Sequence, residues 1–205
     1  MSTRASAAVD RALDERHREA SEEVERILAA AVQVMQQTAP DAPRVDDIVA
    51  AAGSSKKAFY RYFAGKDDLL LAVMERGIGI VTSYLDHQMA KAPGPREKIA
   101  SWIEGALAQV SDPHLISMSR AVVEQMTRTD PVADIMSPMR NLLVAPVAEA
   151  GSPDPQRDAD AIFELTIAAM RRYVGSHRQL DPADRAHLVR FCLNGLSDKD
   201  RKSVV

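Results

Sequence analysis

The organisation of this chain is decided by the stretch from Gly53 to Leu70, which reads GSSKKAFYRYFAGKDDLL. Glycine is the residue expected just past the C-terminus of a helix, and the serines that follow it are favourable helix N-caps. Phe59 and Phe63 are four residues apart, so they share one face of a short helix that begins near Lys56. The stretch therefore predicts a tight turn and then a helix with an apolar inner face and a polar outer face.

Helical periodicity on both sides of this stretch predicts further helices. Upstream, apolar residues recur at helical spacing from Val24 to Met35, and Ser21 with the acids after it predicts the start of that helix. A second, short helix carries apolar residues from Val45 to Ala52 and ends at Gly53, and a long fourth helix runs from the Lys66 region to about Lys91. Three helices with a tight turn between the second and third predict a helix-turn-helix.

The rest of the chain is also predicted to be helical, because aromatic residues make up only 4% of it and no alternating strand pattern is present. Asp-Pro pairs mark helix starts, since Asp caps free amides and Pro fits the first helical position. The predicted helices are 96–110, 113–128 after Asp112-Pro113, 131–149 after Asp130-Pro131 with bends near Pro138 and Pro146, 157–177, and 182–196 after Asp181-Pro182.

These segments predict an all-α fold of about nine helices in three parts. Residues 1–20 form a flexible or partly helical N-terminal extension, 21–66 the helix-turn-helix domain with its recognition helix at about 56–63, and 67–205 a helical domain. The extension has a second interpretation as an arm whose arginines contact DNA, although four acids balance its four arginines.

The charge distribution favours DNA as a partner although the whole chain carries a net charge of −3. From Gly53 to Lys66 there are four basic residues and no acidic ones, whereas residues 21–52 carry two basic and six acidic residues. Phosphate neutralisation requires only a local basic patch. The patch lies on the predicted recognition helix.

Other classes of protein receive little support from the sequence. The single cysteine, Cys192, indicates a reducing cytoplasm, and no apolar run is long enough to cross a membrane. The five histidines show no metal-ligand spacing, and no nucleophile or acid–base pair stands out. We therefore expect no enzyme activity, no metal and no cofactor.

The stretch from Ile27 to Arg76 resembles the DNA-binding domain of TetR-type transcriptional regulators. The matching marks are Gly53 in the turn, Ser55-Lys56 at the helix start, Tyr60 and Phe63 within the helix, and Lys66-Asp67 followed by two leucines. The predicted DNA contacts are Arg44, Ser55, Lys56, Lys57, Ala58, Tyr60, Arg61, Tyr62 and Lys66. Arg44 lies where the chain departs from the family pattern, and we expect its side chain to reach a phosphate.

The resemblance also implies separate roles for these residues. Tyr60, Tyr62 and Lys66 would hold the DNA backbone, and Ser55 would cap the recognition helix and touch phosphate. Lys57 or Arg61 would pair with guanine, and the Ala58 methyl group would meet a thymine methyl. The chain departs from the family pattern at Pro43-Arg44, where a capping Thr is common, and at Lys57, where a small residue is common, so its base preference is not inherited.

The helical domain is predicted to bind a small molecule and to form a dimer. Methionines make pliable apolar cavities, so an apolar or amphipathic effector is expected among Trp102, His114, Met118, Ser119, Val122, Met126, Met139 and Arg140. Two strongly apolar helices predict a dimer interface that includes Ile162, Leu165, Ala169, Leu188 and Phe191. The resemblance then implies a homodimeric repressor that binds a palindromic operator and is released by the effector. The alternative is a helix-turn-helix protein whose helical domain binds a protein partner.

Overall fold

A computed structural model describes residues 3–38, 41, 43–110, 135–176 and 181–196. All regular structure within these ranges is helical, which confirms the predicted all-α class. The chain divides into two compact units, Met1–Val73 and Met74–Val205. The division falls inside a helix, a few residues after the boundary that the sequence predicted at residue 66.

The N-terminal unit contains α1 (Arg4–Thr38), α2 (Val45–Ala51), α3 (Lys56–Tyr62) and the first residues of α4 (Lys66–Ala90). Helix α1 packs against α2, and α2 packs against α3. The apolar positions predicted from periodicity are buried, among them Ile27, Leu28, Ala31, Val34, Met35, Ile48, Val49, Phe59 and Phe63. This unit therefore has the three-helix arrangement that the sequence predicted.

The predicted helix start at Ser21 is wrong, because α1 is continuous from Arg4. Residues 4–20 are rich in Ala and Arg, which both have high helix propensity. Arg18 pairs along the helix with Glu15 and Glu22, at spacings that place side chains side by side. A run of good helix formers thus overrides the capping preference of a single serine.

The turn between α2 and α3 has the conformation that its glycine predicts. Gly53 has φ 59°, in the left-handed region, and its N–H donates to the Ala50 carbonyl. The N–H of Ser54 donates to the Val49 carbonyl at 2.9 Å. These two bonds make a Schellman motif, which satisfies carbonyls at the end of α2 and reverses the chain toward α3.

The C-terminal unit contains the remainder of α4, α5 (Pro95–Ala108), α6 (Ser137–Asn141), α7 (Val144–Glu149), α8 (Pro155–Ser176) and α9 (Pro182–Gly195). Helix α5 packs against α7, α8 and α9. The fully buried Trp102 lies at 6.1 Å, centroid to centroid, from the Phe163 ring. Arg96 Nη2 donates to the Leu193 carbonyl at 2.9 Å and so joins α5 to the end of α9. No helix in the described ranges is long and apolar enough to span a membrane.

The bends predicted near Pro138 and Pro146 correspond to two short helices, α6 and α7. Each proline lies in the first turn of its helix, where its missing N–H has no helical partner to lose. The cap at Asp181 is confirmed, since its carboxylate accepts from the Ala183 N–H at 2.8 Å. The helix predicted at 113–128 and the caps at Asp112 and Asp130 lie outside the described residues.

Candidate nucleic-acid interface

Helix α3 separates its apolar and basic side chains onto opposite faces. Phe59 is fully buried, and its ring lies 5.6 Å from that of Phe63, so the two aromatic residues anchor the inner face. Lys56, Lys57 and Arg61 are exposed on the outer face. The helix thus presents its positive charge to solvent, as the sequence predicted.

Tyr60 lies on the outer face of α3 between the basic residues. It is 59% exposed, and its ring meets Phe59 edge-on at a centroid distance of 5.1 Å. The anchored ring leaves the phenol hydroxyl free to project into solvent. This geometry suits a hydroxyl that donates to a backbone phosphate.

Ser55 fixes the start of α3. Its backbone is extended, and its hydroxyl oxygen accepts from the Ala58 N–H at 3.1 Å, which confirms the predicted cap. The remaining free amides in this first turn carry the partial positive charge of a helix N-terminus. Anionic groups are therefore favoured near Ser55, and its contact with phosphate stays a prediction.

Ala58 was predicted to present its methyl group to a base, and the structure contradicts this. The residue is only 6% exposed and lies on the inner face beside Phe59. Position 58 precedes the buried 59 and lies four residues before the half-buried Tyr62. The outward positions are therefore 56, 57, 60 and 61.

Acidic side chains from α1 and α2 contact the exposed face of α3. Lys56 Nζ lies 2.6 Å from Asp46 Oδ1, and the hydrogen bond to this carboxylate raises the pKa of Lys56. Arg61 Nη1 lies 3.9 Å from Glu23 Oε2. The hydroxyl of Tyr62 donates to the same Glu23 oxygen at 2.9 Å. Tyr62, predicted as a DNA-backbone contact, is thus half-buried and bonded within the protein.

Sequence reasoning missed Glu23 and Asp46 as members of this site. Glu23 was interpreted only as one of the helix-start acids after Ser21, since carboxylates favour the first turn of a helix, and Asp46 was given no role. Their partners lie 10 or more residues away, and only the packing of α1, α2 and α3 brings them together. The excess of acids in residues 21–52 beside the basic stretch was the one available indication.

Arg44 and Lys66 flank the recognition helix. Arg44 is the N-cap residue of α2 and makes no side-chain capping bond, which confirms that the usual cap is missing there. Lys66 is the first residue of α4 and is half-exposed. The Asp68 carboxylate accepts from the Ala64 N–H at 2.8 Å and fastens the turn that leads to Lys66.

The residues predicted to bind an effector are only partly described. Trp102 and Met139 are buried in the core, and the Trp102 indole N–H donates to the Met139 carbonyl at 3.0 Å, so this donor is not available to a ligand. Arg140 Nε lies 3.5 Å from Asp160 Oδ1. The other predicted residues, His114, Met118, Ser119, Val122 and Met126, lie outside the described residues.

The residues predicted at a dimer interface divide into two groups. Ile162 is 3% exposed and belongs to the core of the unit, so its assignment to an interface is wrong. Leu165 and Phe191 are 41% and 59% exposed, and Ala169 and Leu188 are half-buried. A cavity of about 360 Å³ opens between α5, α8 and α9 beside them, lined by Leu107, Leu165, Ala168, Ala169, Arg172, Tyr173, Asp184, His187 and Leu188.

The fold and the basic outward helix define the class of the N-terminal unit as a DNA-binding helix-turn-helix. Residues 27–73 match the family model described as bacterial regulatory proteins, tetR family. This match spans less than a quarter of the chain and lies within the N-terminal unit.

A curated relative from Bacillus subtilis (strain 168), the uncharacterized HTH-type transcriptional regulator YvdT, is 31% identical over 80 residues. The matched stretch spans 39% of this chain and 40% of that protein. The likeness to YvdT therefore concerns less than half of either chain.

Solved structures match over most of their length. The fatty acid degradation regulator FadR from Bacillus halodurans is 20% identical with a TM-score of 0.65, over 84% of this chain and 99% of that one. FadR from Bacillus subtilis in complex with stearoyl-CoA is 19% identical with a TM-score of 0.65, over 85% and 97%. Reduced NemR from E. coli is 16% identical with a TM-score of 0.60, over 85% and 96%. At these identities the matches show a shared fold.

Proposed function

We propose that this protein is a transcriptional repressor that binds a palindromic operator as a homodimer and releases it when a small apolar or amphipathic effector binds. The observation that carries the proposal is the outer face of α3, where Lys57 and Arg61 are exposed and the helix is held by the Ser55 cap and the buried Phe59. Such a helix fits the major groove, and two-fold symmetry of a dimer would be mirrored in the operator.

Selection of bound duplexes from a random DNA pool tests the DNA-binding part. We expect enrichment of two inverted half-sites whose centres lie about one helical turn, or a multiple of it, apart. Arg61→Ala should weaken binding to the selected duplex by roughly 10- to 100-fold, because one bidentate base contact discriminates by about 1–3 kcal/mol. Arg157→Ala, which removes a still more exposed cation from α8, serves as the control. Failure of the wild-type protein to enrich any sequence would overturn the proposal.

The homodimer is supported by exposed apolar residues on two adjacent helices of the C-terminal unit. Leu165 on α8 and Phe191 on α9 are large exposed apolar residues, and the half-buried Ala169 and Leu188 on the same two helices pack against the core of the unit. We propose that a second copy covers this surface. Leu165→Glu and Phe191→Glu should convert the dimer to a monomer in sedimentation equilibrium. Leu13→Glu, at a leucine on α1 that is 56% exposed, should leave the dimer intact.

The effector is supported by the shared fold of FadR from Bacillus subtilis, which was solved with stearoyl-CoA. We propose that the C-terminal unit of this chain binds an apolar or amphipathic molecule near Arg140 and the methionines predicted to contact an effector, Met118, Met126 and Met139. Helix α4 would transmit the change, since it contributes Leu85 and Met89 to the C-terminal core and begins at Lys66. Differential binding to two states of α4 is what release requires.

Thermal-shift titration with fatty acids and acyl-CoAs of graded chain length tests the effector. We expect a rise in Tm for one class of ligand and dissociation of the selected duplex at the same ligand concentrations. No shift and no dissociation with any of them would reject a small amphipathic effector. Release of DNA by a protein partner would then favour the alternative function.

A further inference from the structure

Glu23 on α1 contacts residues at both ends of the recognition helix α3 through one carboxylate. Its Oε1 accepts from the Ser54 hydroxyl at 3.1 Å, in the turn before α3. Its Oε2 accepts from the Tyr62 hydroxyl at 2.9 Å, at the last residue of α3, and lies 3.9 Å from Arg61 Nη1. Glu23 precedes the stretch 27–73 that matches the family model. We call Glu23, Ser54 and Tyr62 the acidic clasp.

The acidic clasp supplies a constraint that the apolar core of the unit lacks. Burial of Phe59 and Phe63 holds α3 against its neighbours, but apolar contacts are not directional. Hydrogen bonds depend steeply on angle and distance. Two of them, one before α3 and one at its end, resist rotation of the helix about its own axis.

The partial burial of Glu23 strengthens these bonds. Only 23% of its side chain is exposed, whereas Arg61 is 60% exposed. Hydrogen bonds to a charged acceptor that is shielded from solvent are stronger than those of neutral exposed groups. The clasp is therefore suited to hold the orientation of α3 while Arg61 keeps most of its donors available.

We propose that Glu23 is a positioning residue that fixes the rotation of α3 on α1 and thereby determines how selectively Lys57 and Arg61 read base edges. The proposal rests on the proposed DNA-binding function. Because adjacent residues on a helix are about 100° apart, a small rotation of α3 redirects both side chains. Loss of the clasp should therefore affect discrimination between sequences more than attraction to phosphates.

Asp46 provides a matched comparison. Its carboxylate also contacts a base of the recognition helix, Lys56, but both side chains are more than 60% exposed, and no described bond joins Asp46 to the turn. Asp46 therefore lowers the local positive charge without orienting α3. Removing its charge should alter general DNA affinity and leave selectivity unchanged.

The first experiment measures the affinity of the full-length protein for the duplex that the wild type selects and for a scrambled duplex of equal length. Glu23→Ala should lower the ratio of these affinities by about tenfold, the equivalent of about 1.4 kcal/mol. Glu23→Gln removes the charge but keeps an oxygen that accepts from Tyr62, so its ratio should stay within about threefold of wild type. Tyr62→Phe should lower the ratio, and Asp46→Asn should not.

A second experiment tests the clasp without DNA. In a double-mutant cycle of Glu23→Ala and Tyr62→Phe, each single change alters the equilibrium constant of unfolding by a measured factor. The factor for the double variant should differ by about fivefold from the product of the two single factors. Additive effects would show that the contact contributes no coupling and would overturn the proposal. Wild-type selectivity in Glu23→Ala would also overturn the proposal. An equal loss of affinity for both duplexes would overturn it too, because a purely structural role of Glu23 would produce that result. If the wild type selects no DNA, the proposed function fails, and the cycle still reports on the clasp.

Discussion

The two units of the molecule use the same local devices and differ in where they direct their polar groups. Gly53 ends α2 and Gly151 ends α7, both with positive φ and the same pair of backbone bonds. In the N-terminal unit the basic side chains of α3 face solvent. In the C-terminal unit the described polar groups of Trp102 and Arg96 are bonded to carbonyls of neighbouring helices. A binding function can therefore be predicted from sequence where polar side chains face solvent, as on α3, and is harder to predict where they bond to neighbouring helices.

The largest expected effects come from the aromatic anchors of the two cores. Phe59→Ala and Trp102→Ala each remove a fully buried ring and should each lower the free energy of unfolding by about 3–5 kcal/mol. The two variants should differ in their effect on DNA. Phe59→Ala should abolish binding to the selected duplex, whereas Trp102→Ala, assayed well below its Tm, should retain it. Urea unfolding and fluorescence anisotropy measure the two properties, and retained binding in Phe59→Ala would contradict the comparison.

The two glycines give a second, smaller test. Gly53→Ala and Gly151→Ala should each cost about 1–2 kcal/mol, because an L residue is strained at these positive φ values and the space around each Cβ is open. Only the Gly53 variant should also weaken DNA binding, since it alters the turn before α3. Gly53→Asn should lie close to wild type, because Asn tolerates this conformation. If both Ala variants lowered DNA affinity equally, the turn at Gly53 would have no particular role in DNA binding.

Two tyrosines that donate to carboxylates offer a third test. Tyr173 donates to Asp184, and this hydrogen bond, together with burial, raises the pKa of Tyr173. Tyr173→Phe should cost about 0.5–1.5 kcal/mol at neutral pH. Because the folded-state pKa is raised, the stabilisation is present below about pH 10 and is lost as the pH rises through the raised value. Tm measured for both proteins at pH 7 and pH 11 should show a difference that is smaller at the higher pH.

The matched change in the N-terminal unit is Tyr62→Phe, which deletes the bond to Glu23. It should have a stability cost of similar size but should also lower selectivity for the selected duplex. A loss of selectivity in Tyr173→Phe of the same size would show that the effect is not particular to the recognition helix.

The smallest expected effect concerns Cys192, which is 5% exposed on α9. Burial raises the pKa of the Cys192 thiol, so less of it is thiolate at neutral pH than for a free cysteine. Reaction with a disulfide reagent should be slow in the folded protein and should become fast when urea unfolds the C-terminal unit. Fast labelling of the native protein would indicate that α9 is accessible in a way that the structure does not show.

Much of the N-terminal unit was predictable because its determinants are local. Gly53, Ser55 and the Phe59–Phe63 spacing each act within a few residues, so turn chemistry and periodicity are sufficient to place them. The long fourth helix and the Asp181 cap were predictable for the same reason.

What was not predictable depends on contacts between elements. The pairing of Glu23 with Ser54 and Tyr62, and the burial of Ile162 within its own unit, follow from how helices pack against one another. Residues 4–20 were misjudged for a different reason, since capping by Ser21 was weighed above the summed propensity of the residues before it.

Because α1 is one continuous helix, its first turn lies at a fixed distance from Glu23. Arg4 and Glu23 are 19 residue steps apart on α1, a length of about 28 Å along the helix axis. A fluorophore at the exposed N-terminal end of α1 therefore stays at a fixed distance from the acidic clasp. Energy transfer from that fluorophore to an acceptor on a labelled duplex would report the distance between the first turn of α1 and the DNA.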